Sequence, residues 1–244
     1  MANQNIVLTY DTCRQLLLDV CQLIDQLMPA IEQQRNEITV KDDGSLVTAA
    51  DVMLEQQVHQ FLRQKLGEVV FVGEETYTFH AMTEQTGIAV IFDPIDGTEN
   101  FCMGLKEWGM AISIWQNGQH VGSCLYMPEL GERLMTGDKL QQAAVSSRMT
   151  ALSVAVNERL LQLLAEPGQY RMSGCSVYNL YYVIKGSFAQ FIHPKGAYIW
   201  DILPGMMLAL EHGCHVFVDD SLYNGQWLDP TRKHKLHITH SRTY

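Results

Sequence analysis

The sequence has no C-x-x-C pair, no cluster of basic residues and no long apolar run, and each absence removes a class of function. Six cysteines, Cys13, Cys21, Cys102, Cys124, Cys175 and Cys214, are scattered among apolar neighbours without zinc-like spacing, as buried free thiols are. The densest basic stretch is Arg232-Lys233-His234-Lys235, in a chain of formal net charge -10. That excludes a protein that coats a nucleic-acid polymer, which needs clustered Lys and Arg. No apolar stretch approaches the roughly 20 residues that cross a bilayer. The N-terminus lacks a charged start, an apolar run and a small-residue cleavage site. Repeats and low-complexity linkers are missing as well. The expectation is a cytoplasmic protein, partnered by neither membrane nor nucleic acid.

What is present is core. Apolar residues make up 47% of 244, enough to fold one large domain or two small ones. Behind Thr9 as N-cap, Leu16, Leu17, Val20, Leu23, Ile24, Leu27, Met28 and Ile31 follow helical spacing. The polar loop Lys41-Asp42-Asp43-Gly44-Ser45 leads to a second helix carrying Leu54, Val58, Phe61 and Leu62. A β-rich run from Val69 to Val72 stops at Gly73-Glu74-Glu75, and another from Gly87 to Phe92 stops at Asp93. Met110 to Trp115 and His120 to Tyr126 flank Asn117-Gly118, a hairpin signal, and Leu134 to Thr136 adds a strand. Beyond about residue 140 helix and strand mix. There follow a run from Leu152 to Val156, a helix from Val177 to Lys185, a strand from Phe188 to Ile192 and a helix from Asp201 to His212 closed by Gly213. The rhythm is not that of a doubly wound sheet. The pattern predicts a layered α/β sandwich in two halves, residues 1–140 and 141–244.

Carboxylates stand where regular structure stops. Asp51 lies in the first turn of the second helix and shares a face with Leu54 and Val58, so it points inward. Taken alone it reads as an ordinary first-turn acid. Asp93-Pro94 and Asp96-Gly97 read alone as turn chemistry, and Asp201 with Pro204 as capping. Gathered in one cleft, with Glu74 and Glu75, they repel by about 4 kcal/mol per close pair at an effective dielectric near 20. A cation must offset that. Oxygen donors without His or Cys select a hard ion such as magnesium. Gly97-Thr98 beside them suits an anion, since glycine lets backbone amides approach. Carboxylates, metal and an anion cradle point to phosphoryl transfer.

Val47-Thr48-Ala49-Ala50-Asp51, Gly73-Glu74-Glu75, the run Asp93-Pro94-Ile95-Asp96-Gly97-Thr98-Glu99-Asn100-Phe101 and Trp200-Asp201 resemble, in order, the signature segments of the inositol monophosphatase family. The stretch from Arg171 through Gly174-Cys175-Ser176 resembles its substrate-side loop. The resemblance implies an αβαβα sandwich and a Mg2+-dependent phosphomonoesterase using two or three ions. It implies that Glu74, Asp93 and the Ile95 carbonyl hold the first ion and that Asp93, Asp96 and Asp201 hold the second. By the same resemblance Thr98, paired with Asp51, and Glu74 orient and deprotonate water. The Gly97 and Thr98 amides grip phosphate, and Gly174, Cys175 and Ser176 face the substrate. A homodimer is the assembly it implies.

Three departures from the family pattern leave these ligands untouched: a shorter loop between Lys41 and Asp51, Glu211-His212-Gly213-Cys214 where a double glycine is usual, and an end at Tyr244 that leaves out a final helix. The partner expected is a small phosphomonoester, with inositol monophosphate first. 3′-Phosphoadenosine 5′-phosphate, the substrate of a 3′(2′),5′-bisphosphate nucleotidase, is second, and other sugar or histidinol phosphates stand behind. A non-catalytic regulatory or binding protein on the same fold is the alternative from another class, disfavoured by the intact ligand set. Pro194 stands where family inositol phosphatases place a glutamate seven residues before the last aspartate. Flanked by His193 and Lys195, it favours an additional phosphate over a neutral polyol.

Overall fold

The computed structural model describes residues 7–76, 86–141, 146–154 and 156–241. Ala155, in the Leu152 to Val156 run, and Tyr244 lie outside them. Helix α1 (Tyr10–Gln33) opens on a capping box, in which Thr12 N donates to Thr9 Oγ1 at 3.2 Å and Thr9 N donates to Thr12 Oγ1 at 2.9 Å. Strands β1 (Ile38–Val40) and β2 (Leu46–Thr48) pair around the Lys41 loop, and Thr48 caps α2 (Ala49–Leu66). After β3 (Val70–Gly73) come β4 (Ile88–Asp96), the short α3 (Thr98–Cys102), β5 (Gly109–Gln116), β6 (Gln119–Met127) and β7 (Glu132–Met135). The remainder is β8 (Met149–Leu152), α4 (Glu158–Ala165), β9 (Gln169–Arg171), α5 (Ser176–Ile184), β10 (Gln190–Ala197), α6 (Ile199–Glu211), β11 (His215–Val218), β12 (Ser221–Leu222) and β13 (His234–Thr239).

The larger strands form two sheets. The first has the order β3-β4-β5-β6-β7, parallel only between β3 and β4. The second runs β12-β11-β13-β10-β8-β9, with β10, β8 and β9 parallel. Period-two alternation divides the first sheet between two cores. Val90, Phe92, Ile112, Ile114 and Cys124 pack with Leu17, Ile24, Leu54 and Val58 of α1 and α2. Ile91, Ala111, Leu125 and Leu134 pack with Leu180, Leu203, Met206 and, from the second sheet, Phe191, Val216 and Ile238. Helices α5 and α6 are therefore the filling between the sheets, α1 and α2 cover the first, and α4 makes the crossover from β8 to β9. This is the layered α/β sandwich that the alternation of elements predicts. Among the described residues no helix is long and apolar enough to cross a membrane.

Several boundaries differ from expectation. The strand predicted to stop at Asp93 runs on to Asp96, because a bulge absorbs Pro94: Asp93 faces Ala111 and Asp96 faces Gly109, so three steps on β4 match two on β5. Residues three apart point to opposite faces of a regular strand. The extra residue puts Asp93 and Asp96 on the side of α5 and α6, and leaves Phe92 and Ile95 in the α1–α2 core. The last long helix starts at Ile199, not Asp201, which is its third residue and accepts Tyr198 N at 3.0 Å. The run read from Leu152 onward belongs to a strand that ends at Leu152. The Asn117-Gly118 hairpin is as predicted, both residues having positive φ.

Candidate active site

Three elements bring carboxylates together. Glu74 follows β3, and its N–H donates to Phe92 O at 3.2 Å, tying it to β4. Asp93 is in β4 and Asp201 in the first turn of α6. Ligand oxygens of Glu74, Asp93 and Asp201 all lie within 4.8 Å of one another. Asp93 is fully buried; its Oδ1 accepts Ile95 N at 3.0 Å, while Oδ2 has no partner among the described residues. Burial, and then repulsion from Glu74 and Asp96, hold the Asp93 and Asp201 carboxyls well above the usual carboxylate range. An orphaned, buried oxygen inside an all-oxygen donor set fits a hard divalent cation.

A glycine and a glutamate position Glu74. Glu55, on α2 and 1% exposed, accepts Glu75 N at 2.9 Å and the Thr76 hydroxyl. A Cβ on Gly73 would lie 2.3 Å from the Glu55 carboxyl carbon, so only glycine admits this approach. Lys41, on the β1–β2 loop, donates to Glu74 Oε1 at 3.2 Å and Glu75 Oε1 at 2.8 Å. Burial opposes its charge, but the two glutamates outweigh burial and raise its pKa. Glu55 and Lys41 escape a reading of the sequence. Their partners are about 20 and 33 positions away, and no local pattern joins them.

The remaining expected residues are placed differently. Asp96 stands outside the group of three: its Oδ2 accepts Val177 N at 2.5 Å and the Cys175 thiol at 2.9 Å, at the start of α5. Its carboxyl is pushed up to about 7, by burial against the opposing pull of those bonds. Ile95 offers its carbonyl to the Thr98 hydroxyl at 3.0 Å. The expected pairing of Thr98 with Asp51 is not made. Asp51 Oδ2 instead accepts Thr48 N at 2.8 Å and Thr48 Oγ1 at 2.5 Å, while Oδ1 is buried without a partner among the described residues. The reason is locality, since each side chain finds a partner three residues away with little chain to order. Burial pushes the Asp51 carboxyl up to about 7.

Gly97 has φ 87° and caps α3, and a Cβ there would meet Cys175 Cβ and Glu107 O at 3.0 Å. Asn100 Nδ2 donates to Glu107 O and to Ser173 O, both at 2.7 Å, and so ties α3 to the segment before α5. Gly174, Cys175 and Ser176 line a cavity of about 190 Å3 together with Asp96 and Asp201. Ser153 and His193 also line it; His193 flanks the Pro194 that the sequence singles out, whereas Ser153 carries no signal in the sequence. Pro194 is buried and Lys195 exposed.

The model of the inositol monophosphatase family matches residues 9–162. Inositol monophosphatase 2 of Saccharomyces cerevisiae is 27% identical over 200 residues, 69% of this chain and 68% of its own. Two solved structures share the fold at 22% identity. An IMPase/NADP phosphatase with NADP and Ca2+ has a TM-score of 0.80, covering 97% of this chain and 93% of its own. An IMPase/NADP phosphatase with Mg2+ and phosphate has a TM-score of 0.76, covering 94% and 92%.

Proposed function

The chain belongs to the inositol monophosphatase family, and we infer that it hydrolyses a small phosphomonoester with magnesium held by its buried carboxylates. The observation that carries this is the meeting of Glu74, Asp93 and Asp201 around the orphaned Asp93 oxygen. The buried Asp93 and Asp201 carboxyls, raised by burial and by repulsion from Glu74 and Asp96, are favoured as anions by a divalent cation beside them. Glu74, Asp93 and Asp201 would hold it, with the Ile95 carbonyl and Asp96 as further ligands for a second or third ion. Bound there, the metal supplies an acidified water and neutralises charge on the phosphoryl oxygens.

The chain's own residues do the rest. The Thr98 hydroxyl orients the attacking water. A single carboxylate, Glu74 or Asp51, takes its proton, a task suited to a carboxyl pushed up to about 7, as that of Asp51 is. Gly97 and Thr98 present backbone amides to the phosphate, and the close contact of Gly97 with Cys175 keeps the substrate segment against them. Lys41 limits the repulsion at Glu74 and Glu75. The six cysteines are free thiols in the buried interior, in keeping with a reducing, cytoplasmic setting.

Inositol monophosphate is the first candidate substrate. A nucleotide with a second phosphate, such as 3′-phosphoadenosine 5′-phosphate, is the second reading, favoured by Lys195 and Lys233, whose charges reach His193 at the cavity. Phosphate release from a panel of phosphomonoesters, with magnesium and with excess chelator, tests the activity. Release that persists in chelator overturns the metal assignment.

A further inference from the structure

Helix α1 lies along β6 in phase with it. Residues four apart on a helix advance by about 6 Å, and residues two apart on a strand by about 7 Å. Leu17, Cys21 and Asp25 therefore keep step with Gly122, Cys124 and Tyr126. A Cβ on Gly122 would lie 2.8 Å from Cys13 Sγ and 3.3 Å from Leu17 Cδ1, so glycine there lets the helix close on the strand. At the other end the Tyr126 hydroxyl donates to Asp25 Oδ1. Between these two contacts the Sγ atoms of Cys21 and Cys124 stand 3.7 Å from each other, although the residues are 103 positions apart in the chain.

Phosphate hydrolysis uses neither thiol. Both are free and buried in the α1–α2 core. Sulfurs in a disulfide stand about 2 Å apart, so this pair closes with a movement of roughly 1.7 Å, while the contacts on either side hold the helix on the strand. The two thiols are also unlike. Arg133, an exposed residue of β7, stands opposite Tyr126 and brings its guanidinium to Cys21. The Cys124 thiol and that guanidinium outweigh burial and lower the Cys21 pKa. Burial holds the Cys124 thiol well above its ordinary value. Cys21 is thus the nucleophile of the pair, one side chain below solvent, and Cys124 the thiol placed to resolve it.

We propose that Cys21 and Cys124 form a peroxide-sensitive dithiol whose oxidation fastens α1 to the first sheet. This goes beyond the phosphatase reading and does not depend on it. The Cys21 thiolate attacks one oxygen of hydrogen peroxide, the O–O bond breaks, and the departing hydroxide leaves as water with the proton that the thiol gave up. Cys21 is then a sulfenic acid. The Cys124 sulfur attacks the Cys21 sulfur, the S–S bond forms and the S–O bond breaks, and the hydroxyl leaves as a second water with the Cys124 proton. In sum two thiols and one peroxide give one disulfide and two waters, with two electrons passing from sulfur to peroxide. A link between residues so far apart in the chain restricts the unfolded state, so the oxidised fold resists unfolding. None of the acids grouped at the candidate site is touched by it.

The test treats the whole folded chain with hydrogen peroxide, as wild type, Cys21→Ala and Cys124→Ala. Remaining thiols are then alkylated in denaturant, and peptides are mapped by mass spectrometry without reductant. In the wild type a Cys21–Cys124 peptide pair should appear, two hydrogens lighter than its thiol forms, and titratable thiols should fall by two from six. The melting temperature should rise with the bridge and return to its starting value in dithiothreitol. In Cys124→Ala the Cys21 sulfenic acid has no resolving thiol and should be captured by dimedone, and neither variant should show the rise. No bridge at a peroxide concentration that oxidises free N-acetylcysteine overturns the proposal. So does a bridge that forms only in denaturant, or one that joins either cysteine to a third. A bridge that leaves the melting temperature level or lowers it overturns the fastening of α1. If an alanine variant fails to fold, the wild-type peptide map and its reversal in dithiothreitol still decide.

Discussion

Two groups of polar residues near the cleft differ in charge. On one side Glu74, Asp93 and Asp201 crowd within 4.8 Å, and burial with mutual repulsion raises the Asp93 and Asp201 carboxyls. On the other, Ser153 and His193 are neutral and merely unpaired. A close pair of like charges costs about 4 kcal/mol at an effective dielectric near 20, against about 1–3 kcal/mol for an unpaired neutral atom. The charged group therefore needs a cation as a condition of stability, whereas the neutral pair does not.

The sharpest way to break this contrast is Asp93→Asn. On the proposed assignment it lowers magnesium-dependent turnover by more than about 100-fold, beyond the usual effect of losing a supporting group around a metal. In chelator the same variant should melt higher than wild type, because a buried charge has gone. Turnover equal to wild type would remove Asp93 from the centre of the site.

Metal removal comes next. Magnesium at 100 times its dissociation constant should stabilise the fold by about 2.7 kcal/mol, read from melting curves with and without chelator. The pH dependence without metal has a definite sign. Asp51 and Asp96 stand at about 7 in the fold against an ordinary value of 3.8. Between those values the folded chain keeps protons that the unfolded chain has lost, so stability is greatest near pH 4 and falls as pH rises towards 7. Saturating magnesium should flatten that fall. A chelated protein that gains stability from pH 4 to 7 contradicts the raised carboxyls of Asp51 and Asp96.

Smaller effects refine the charged side. Thr98→Ala should lower kcat about tenfold while leaving the magnesium-induced rise in melting temperature in place, since its hydroxyl reaches the Ile95 carbonyl and is no member of the acidic group. Full turnover in that variant would separate Thr98 from water activation. Smaller still, Glu75→Gln should change turnover only a few-fold: Glu75 meets Lys41 and lies outside the group of three. Lys41→Met should cost the chelated protein about 1 kcal/mol or less, the scale of a partly exposed ion pair.

Much of the charged side is legible in the order of residues alone. Asp51 shares a helical face with Leu54 and Val58, and it is buried on that face. The ordinary capping readings also hold: Asp51 and Asp201 are both first-turn acids that accept the backbone N–H three residues back, so capping and inward placement are properties of the same residues. The sequence misleads at β4, which does not end where its acids begin. The bulge at Pro94 is visible only when β5 supplies the opposing register. The Thr98–Asp51 pair is not made because local partners are nearer. Ser153 carries no signal, as one serine after an apolar run has no periodicity to read.

By itself the sequence determined the residue types and the short-range devices: oxygen-only donors, capping boxes, the Asn117-Gly118 turn and the alternation that gives the first sheet two apolar faces. These act within about four residues, or repeat with a fixed period, so order along the chain suffices. The tertiary structure alone decided which carboxylates meet, that Lys41 lies on Glu74 and that Asp96 is held by the start of α5. It alone set Ser153 beside His193. Those contacts join residues 33, 40 and 81 positions apart or lie across parallel strands. They exist because two sheets packed around α5 and α6 bring strand ends and helix starts to one cleft, a consequence of burying two apolar faces at once that no local pattern encodes.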